Sequence, residues 1–407
     1  MIIFQRKSYL KTLTEALKHE KTIILTWARQ VGKTTLLKQF QEQQKDNIPC
    51  LYLNCEDYFE TRFSNLKEFC TWIQTEFNFD VNKKGIIMLD EVQSRNDPDR
   101  LLKSYHDNTS TKAIMIATWS RFWWQKTLWA SMVGRGKKIH IFWYSFQEYL
   151  EIQGMKIDNM KNITYAMIQE HLKQYLTWGW YPAVVHANTR EKKIQNIKDI
   201  VYSRIQKDFG YFLDNKYRPD FLRLMQYIAH NTWSLAKVEQ LAQYIWFWRK
   251  IVEEMISFME ESFVIQQVYP YFTNKSKEYT SLPKIYFHDI GLLHYLTWIF
   301  ESIDFDGKIT ETFVHATLWR QYDAWEVFYY KKKNMSEIDF IFQKNDGKLI
   351  PIEVKTWDRT TTPEIFHRFD EQYHNKVEKY IQTTKSIEKK TKEDFHFELI
   401  PFWKLSV

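Results

Sequence analysis

The stretch Trp27-Ala28-Arg29-Gln30-Val31-Gly32-Lys33-Thr34-Thr35 fits the pattern G-x-x-x-x-G-K-[ST] at every position but the first, where tryptophan stands in place of glycine. Before it comes Lys21-Thr22-Ile23-Ile24-Leu25, an apolar run with β-branched residues, as a buried parallel strand requires. After it, Leu36, Leu37 and Phe40 give the apolar stripe of a helix whose N-terminus faces whatever the loop holds. Strand, loop and helix in this order predict a phosphate-binding loop. Its backbone N–H groups would wrap phosphate oxygens, Lys33 would neutralise the β and γ oxygens, and the Thr34 hydroxyl would join Mg²⁺. Residues Trp27 to Thr35 are therefore the expected contacts for ATP.

A second element lies at a suitable distance. Gly85-Ile86-Ile87-Met88-Leu89-Asp90-Glu91 reads as a buried strand ending in two carboxylates. Asp90 would hold Mg²⁺ through its water shell, and Glu91 would orient or deprotonate the attacking water. A third strand, Ala113-Ile114-Met115-Ile116-Ala117, ends in Thr118-Trp119-Ser120, where Thr118 could sense a γ-phosphate. Together these elements predict an α/β, P-loop ATPase domain of AAA-like class.

The 407 residues are too many for one ordinary core and fit several domains. No apolar stretch approaches the roughly 18 to 20 residues of a membrane span, and Met1 to Lys7 carry no secretion signal, so a cytoplasmic protein is expected. Cys50, Cys55 and Cys70 are an odd number at spacings unlike a zinc site, which predicts reduced thiols without chemistry. The formal charge of +7 permits a polyanionic partner without requiring one.

These residues, with others along nearly the whole chain, resemble a family of prokaryotic ATP-binding proteins in which an AAA-type domain is fused to a C-terminal domain of unknown function. The likeness is carried by Arg29 to Thr35, Leu89-Asp90-Glu91-Val92-Gln93, Val133-Gly134-Arg135, Ser145-Phe146-Gln147-Glu148-Tyr149-Leu150, Tyr181-Pro182, Pro283-Lys284-Ile285-Tyr286-Phe287 and Ile352-Glu353-Val354-Lys355. The resemblance implies a phosphate or interface sensor at Arg135.

Against that family, Trp27, Trp119, Trp180, Trp246 and Trp357 all stand where glycine is expected. The composition is inverted in the same sense, with 10 glycines and 17 tryptophans, whereas glycine ordinarily makes up about 7% of a chain. The pattern predicts a gene in which UGA is read as glycine but was translated as tryptophan; Trp403 reads as a genuine tryptophan. The rival reading is a degenerate ATPase that has lost its nucleotide.

Residues 155–215 read as a helical lid and 216–294 as a winged-helix module, with a helix-turn-helix bending at Trp246. The segment 216–290 holds nine Lys/Arg against eight Asp/Glu, and its presumed recognition helix carries Glu253, Glu254, Glu260 and Glu261, which favours a packing module between the ATPase and C-terminal domains over nucleic-acid contact through Lys275 and Lys277 on the wing.

In the remainder, 295–407, Ile338-Asp339-Phe340-Ile341-Phe342 and Leu349-Ile350-Pro351-Ile352-Glu353-Val354-Lys355 read as two strands joined at Lys344-Asn345-Asp346-Gly347-Lys348. A three-residue loop with Gly347 left-handed pairs 342 with 350 and 340 with 352. Asp339 then faces Glu353, with Lys355 farther along the same side. An Asp facing Glu-x-Lys is the constellation of restriction-endonuclease-like folds, with Asp339 and Glu353 as metal ligands and Lys355 activating water. The family resemblance adds Glu311 as a helical acid. The bland alternative is a pair of strands with a charged, solvated face; the run Lys385 to Asp394 reads as solvated helix or loop.

The expected architecture is thus an ATPase domain (1–154), helical lid (155–215), winged-helix module (216–294) and nuclease-like α/β domain (295–407). The expected function is ATP hydrolysis coupled to an action on DNA, with Lys33, Glu91, Arg135, Asp339, Glu353 and Lys355 as catalytic candidates and Thr34, Asp90, Glu311, Asp339 and Glu353 as metal candidates. The runner-up is a nucleotide-gated regulatory protein with an inactive C-terminal domain. The sequence leaves the oligomeric state open.

Overall fold

The computed structural model describes residues 4–58, 63, 65–95, 97–120, 134–155, 165–203, 209–232, 234–235, 237–273, 281–300, 307–321, 327–332, 337–358, 361–386, 388–390 and 395–405. The chain divides into two compact units, Met1–Tyr144 and Ser145–Val407.

In the first unit β1 (Thr22–Thr26), β2 (Cys50–Asn54), β3 (Ile86–Asp90), β4 (Ile114–Trp119) and β5 (Lys137–His140) form a sheet of order β2-β3-β4-β1-β5, parallel throughout. Every residue of β1 and β3 is buried, as expected of strands covered on both faces. The helix Lys33–Gln44 buries Leu36, Leu37 and Phe40, the stripe its sequence displays. Asn65 caps the helix Leu66–Phe77 by accepting the Glu68 N–H at 3.0 Å, and the left-handed Asn78 (φ 50°) ends it. Because β4 lies between β1 and β3, with Leu25 level with Thr118 and Leu89 level with Ala117, three strands end side by side. Their ends carry the phosphate loop, Asp90 and Thr118 to one edge.

The second unit begins at a capping box in which Ser145 Oγ accepts the Glu148 N–H at 3.1 Å and Glu148 accepts the Ser145 N–H at 2.9 Å. Helices follow, among them Tyr165–Trp178 and Arg190–Ser203, then Arg218–His230, Val238–Ile245 and Arg249–Glu261. At the corner after Trp178, Gly179 (φ 79°) is required, because a Cβ there would lie 2.5 Å from Asp289 Oδ1. Strands β6 (Ile265–Val268) and β7 (Lys284–Phe287) pair antiparallel, and Leu235 bridges to Lys284. Lys275 and Lys277 lie outside the described residues.

The C-terminal sheet runs β12-β13-β11-β10-β9-β8, from β8 (Val327–Lys331), β9 (Glu337–Gln343), β10 (Leu349–Glu353), β11 (Ile381–Thr384), β12 (Lys389–Lys390) and β13 (Glu398–Pro401). Phe342 pairs with Ile350 and Phe340 with Ile352, the register expected from the sequence, and Gly347 has φ 82°. The loop closes as Lys344 N–H donates to Lys348 O and Gly347 N–H to Lys344 O, both at 2.8 Å. Two expectations need correction. The run from Lys385 contains the short strand β12, paired with β13, and its residues 391–394 lie outside the described residues. Nor does the hairpin carry a charged, solvated face: Ile338 to Phe342 are all buried, Ile341 and Leu349 packing with Phe366 and Phe369 of the helix Glu364–Tyr373.

Candidate functional site

The phosphate loop is built on left-handed backbone. Trp27 has φ 137°, Gln30 φ 64° and Gly32 φ 93°, so three turns curl the chain between β1 and its helix. The Trp27 indole is buried against His140 and Phe142, with ring centroids 4.9 and 4.5 Å away. Inside the curl, Lys33 Nζ donates to Trp27 O at 3.0 Å and Ala28 O at 2.6 Å. The lysine therefore points into its own loop, where carbonyls hold a charge that phosphate oxygens could take over. Val31 is buried, Arg29, Thr34 and Thr35 are half-buried, and Gln30 is exposed.

Beside the loop a network organises the two acids. Thr118 Oγ1 donates to Asp90 Oδ1 and accepts the Glu91 N–H at 2.7 Å, joining both acids through one hydroxyl. Tyr52 donates to Asp90 Oδ2 at 2.8 Å, and burial together with that carboxylate pushes its phenol well up. Glu91 receives Ser120 Oγ at 2.7 Å on one oxygen and the Gln93 side chain on the other. Glu91 itself has φ 52°, a left-handed conformation that a non-glycine residue keeps only where its surroundings enforce it. The roles of Tyr52, Gln93 and Ser120 escaped the sequence reading, since a single polar residue does not show which acid it will bond.

Arg135 lies away from the phosphate loop of its own chain, which leaves the interface half of its expected role. It pairs with Asp107 at 2.8 Å and precedes β5, level with the start of β1; the phosphate loop leaves the other end of β1, about 13 Å away at the usual strand rise. It does not reach the loop of its own chain.

The tryptophans at expected glycine positions divide. Trp27 (φ 137°) and Trp246 (φ 56°) adopt backbone that favours glycine, and so does Trp298 (φ 57°), which the sequence reading did not single out. Trp246 and Trp298 each end a helix in the left-handed cap position, with 93% and 67% of their surface exposed. By contrast Trp119 and Trp180 are fully buried on ordinary backbone, Trp180 stacked 5.4 Å from Tyr175 with Arg320 over its ring, and Trp357 is exposed without positive φ.

In the C-terminal sheet the register continues by one residue to bring Asp339 opposite Glu353. Both are buried, at 8% and 7% exposure. Asp339 Oδ2 accepts the Val354 N–H at 2.8 Å, and Lys355 Nζ donates to Glu353 Oε1 at 2.7 Å, so acid, acid and lysine share one side. Glu353 Oε2 has no hydrogen-bond partner among the described residues. Glu311, on the helix Gly307–Gln321, accepts the Tyr286 hydroxyl at 3.3 Å. Burial, then the Asp339 charge, push Glu311 and Glu353 up to about 8, against the pull of Lys284 and Lys355 respectively. Asp339 is raised as well, chiefly by burial, although Lys284 and the Val354 N–H oppose this. Among the described residues no three carboxylate, thiol or imidazole groups converge as they stand to hold one ion. Glu311 is turned to Tyr286 and Glu353 to Lys355, leaving a two-carboxylate core of Asp339 and Glu353.

Residues 19–150 match the family described as an AAA domain, residues 169–302 a domain of unknown function (DUF8612) and residues 306–405 a domain of unknown function (DUF4143). The uncharacterized proteins Mb2031c of Mycobacterium bovis and Rv2008c of Mycobacterium tuberculosis are each 27% identical to this chain over 143 residues, 34% of its length. The matched stretch spans 32% of the length of those relatives. The Walker-type ATPase PABY2304 of Pyrococcus abyssi is similar over 72% of this chain and 96% of its own, at 14% identity and TM-score 0.48. The RuvB Holliday junction branch migration motor of Thermotoga maritima covers 65% of this chain and 90% of its own, at 12% identity and TM-score 0.33. No helix among the described residues is long and apolar enough to cross a membrane. In its parallel sheet, with the phosphate loop, Asp90 and Thr118 along one edge, and in the family match over the same residues, 19–150 is similar to AAA-type P-loop domains.

Proposed function

We propose that the chain binds and hydrolyses ATP with Mg²⁺ at the edge of the first sheet and couples this to an action on DNA through the C-terminal carboxylate cluster. The Thr118 hydroxyl that joins Asp90 to the Glu91 N–H carries the reading, since it holds a metal-binding acid and a water-orienting acid in fixed relation beside the loop. The donor set fits the ligand: a buried ammonium that bonds the loop carbonyls of Trp27 and Ala28, left-handed turns in the loop, and a carboxylate at the adjacent strand end. Lys33 would bind phosphate oxygens, Thr34 and Asp90 would hold Mg²⁺, and Glu91, gripped by Ser120 and Gln93, would orient the attacking water. The metal, when bound, neutralises phosphate charge. Arg135 could act only on a neighbouring copy.

The element order from Arg218 to Phe287, three helices followed by a two-stranded sheet that Leu235 joins at Lys284, supports a winged-helix module. Buried Asp339 and Glu353 with Lys355 support a nuclease-derived domain, and the proposed boundaries remain 1–154, 155–215, 216–294 and 295–407. The left-handed backbone at Trp27, Trp246 and Trp298 supports UGA codons read as glycine, and extends that expectation to Trp298.

Glu91→Gln should spare ATP binding and slow turnover at least about tenfold, because the acid acts on water only during the reaction. Turnover stimulated by duplex DNA supports the coupled enzyme, and tight ATP binding with no turnover, with or without DNA, supports the nucleotide-gated alternative. Equal turnover in Glu91→Gln and the parent protein removes Glu91 from the mechanism.

A further inference from the structure

Lys284 is a buried lysine on β7, in a segment ahead of residues 306–405, and only 4% of its surface is exposed. Its ammonium lies 2.7 Å from Glu337 Oε1, at the start of β9 and two residues from Asp339. It acts electrostatically on Asp339 and Glu311 as well. Tyr286, two residues along the same strand, donates to Glu311. The strand is anchored beside this sheet: the Tyr271 N–H donates to Tyr329 O at 2.6 Å, the Tyr329 N–H to Tyr269 O at 3.0 Å, and the Tyr329 hydroxyl to Leu282 O at 2.8 Å. So β7 lends the carboxylate cluster a fixed cation and a fixed hydroxyl. On the other side, Lys355 covers one oxygen of Glu353, and the other oxygen, on a side chain 7% exposed, has no hydrogen-bond partner among the described residues.

We propose that Lys284 is the built-in counter-cation of this carboxylate site, so that a divalent cation binds at Asp339 and Glu353 in competition with the lysine and the site is incomplete without β7. The proposal rests on the reading of Asp339 and Glu353 as metal ligands. Buried carboxylates need opposite charge nearby, and an ammonium fixed by Glu337 supplies it to Asp339 without bonding Glu353 Oε2, which a harder, doubly charged ion could take. Attraction between like-signed cations is absent, so the lysine and the metal oppose each other's binding. Glu337 modulates the same balance, since it draws the ammonium toward itself.

Nucleotide-free full-length protein titrated with Mn²⁺, with Asp339→Asn to identify the site, tests this. Lys284→Gln, which can keep a hydrogen bond to Glu337 but drops the charge, should tighten Mn²⁺ about tenfold, and Glu337→Gln should weaken it by a similar factor. The sign in Lys284→Gln decides, because a merely structural lysine would not tighten the metal when its charge is removed. Unchanged or weaker binding in Lys284→Gln, with Asp339-dependent binding intact in the parent protein, overturns the proposal and leaves the metal reading standing. Absence of Asp339-dependent binding in every variant, Lys284→Gln included, overturns both. Should Lys284→Gln not fold, Lys284→Met is titrated in its place: tighter Asp339-dependent Mn²⁺ binding than in the parent protein supports the counter-cation, and unchanged or weaker binding overturns it.

Discussion

Two turns place the chemistry of this chain, and both depend on a residue with positive φ. In the hairpin between β9 and β10 that residue is Gly347, where a Cβ would meet nothing within 4 Å. In the phosphate loop it is Trp27, whose indole is wedged against His140 and Phe142 while Lys33 bonds the loop's own carbonyls. The hairpin carries its acids in register with backbone free of strain. The loop has the right donors but a side chain where the backbone asks for none. Fixed geometry at one turn and a crowded turn at the other separate what the fold supplies from what one residue withholds.

The largest effect should come from Lys33→Ala, which removes the only ammonium the loop directs inward and should weaken ATP·Mg²⁺ at least about a hundredfold. Isothermal titration reads this directly, and undiminished binding would take the loop out of nucleotide recognition.

Next in size is a matched pair across the comparison. Gly347→Ala should destabilise the protein by about 1 kcal/mol, since a Cβ is disfavoured in left-handed backbone. Trp246→Gly and Trp298→Gly should each stabilise it by up to about 1 kcal/mol for the same reason, read from denaturant midpoints. Destabilisation by both tryptophan replacements would show that those indoles contribute more than their backbone strain takes away.

The smallest effect is one of pH. Because Glu311 and Glu353 are raised to about 8, the folded protein holds protons between about pH 4.5 and 8 that the unfolded chain has released. Their contribution is fully present below that window and is lost as pH rises through it, so Tm should fall from pH 5 to pH 8. Glu311→Gln should flatten the dependence. A Tm that rises over the same interval in the parent protein and not in Glu311→Gln would reverse the assignment.

Much of this was legible in the chain because pattern and physics coincide. The β-branched runs Ile23 to Leu25 and Ile86 to Leu89 could only be buried strands, and the alternation around Gly347 admitted one register that kept the apolar pairs together. What escaped was which singular residues meet across long stretches of chain. Tyr52, Ser120 and Lys284 matter through hydrogen bonds or charges that span 27 to 53 positions in the chain. For Arg135 the chain left phosphate and interface roles open, because a motif gives separation in sequence, not which end of a sheet it occupies. Trp180 shows the limit from the other side: its place in the family pattern suggests glycine, yet its ring is fully buried between Tyr175 and Arg320.

Isothermal titration of ATP·Mg²⁺ into the parent protein and Trp27→Gly shows whether residues 27–35 with Asp90 and Glu91 form an ATP·Mg²⁺ site restrained by the side chain at position 27. Trp27→Gly should bind at least about tenfold more tightly, because removing the side chain relieves φ 137° at the loop's first turn. A folded Trp27→Gly protein that binds ATP no better than the parent, or not at all, would contradict that reading.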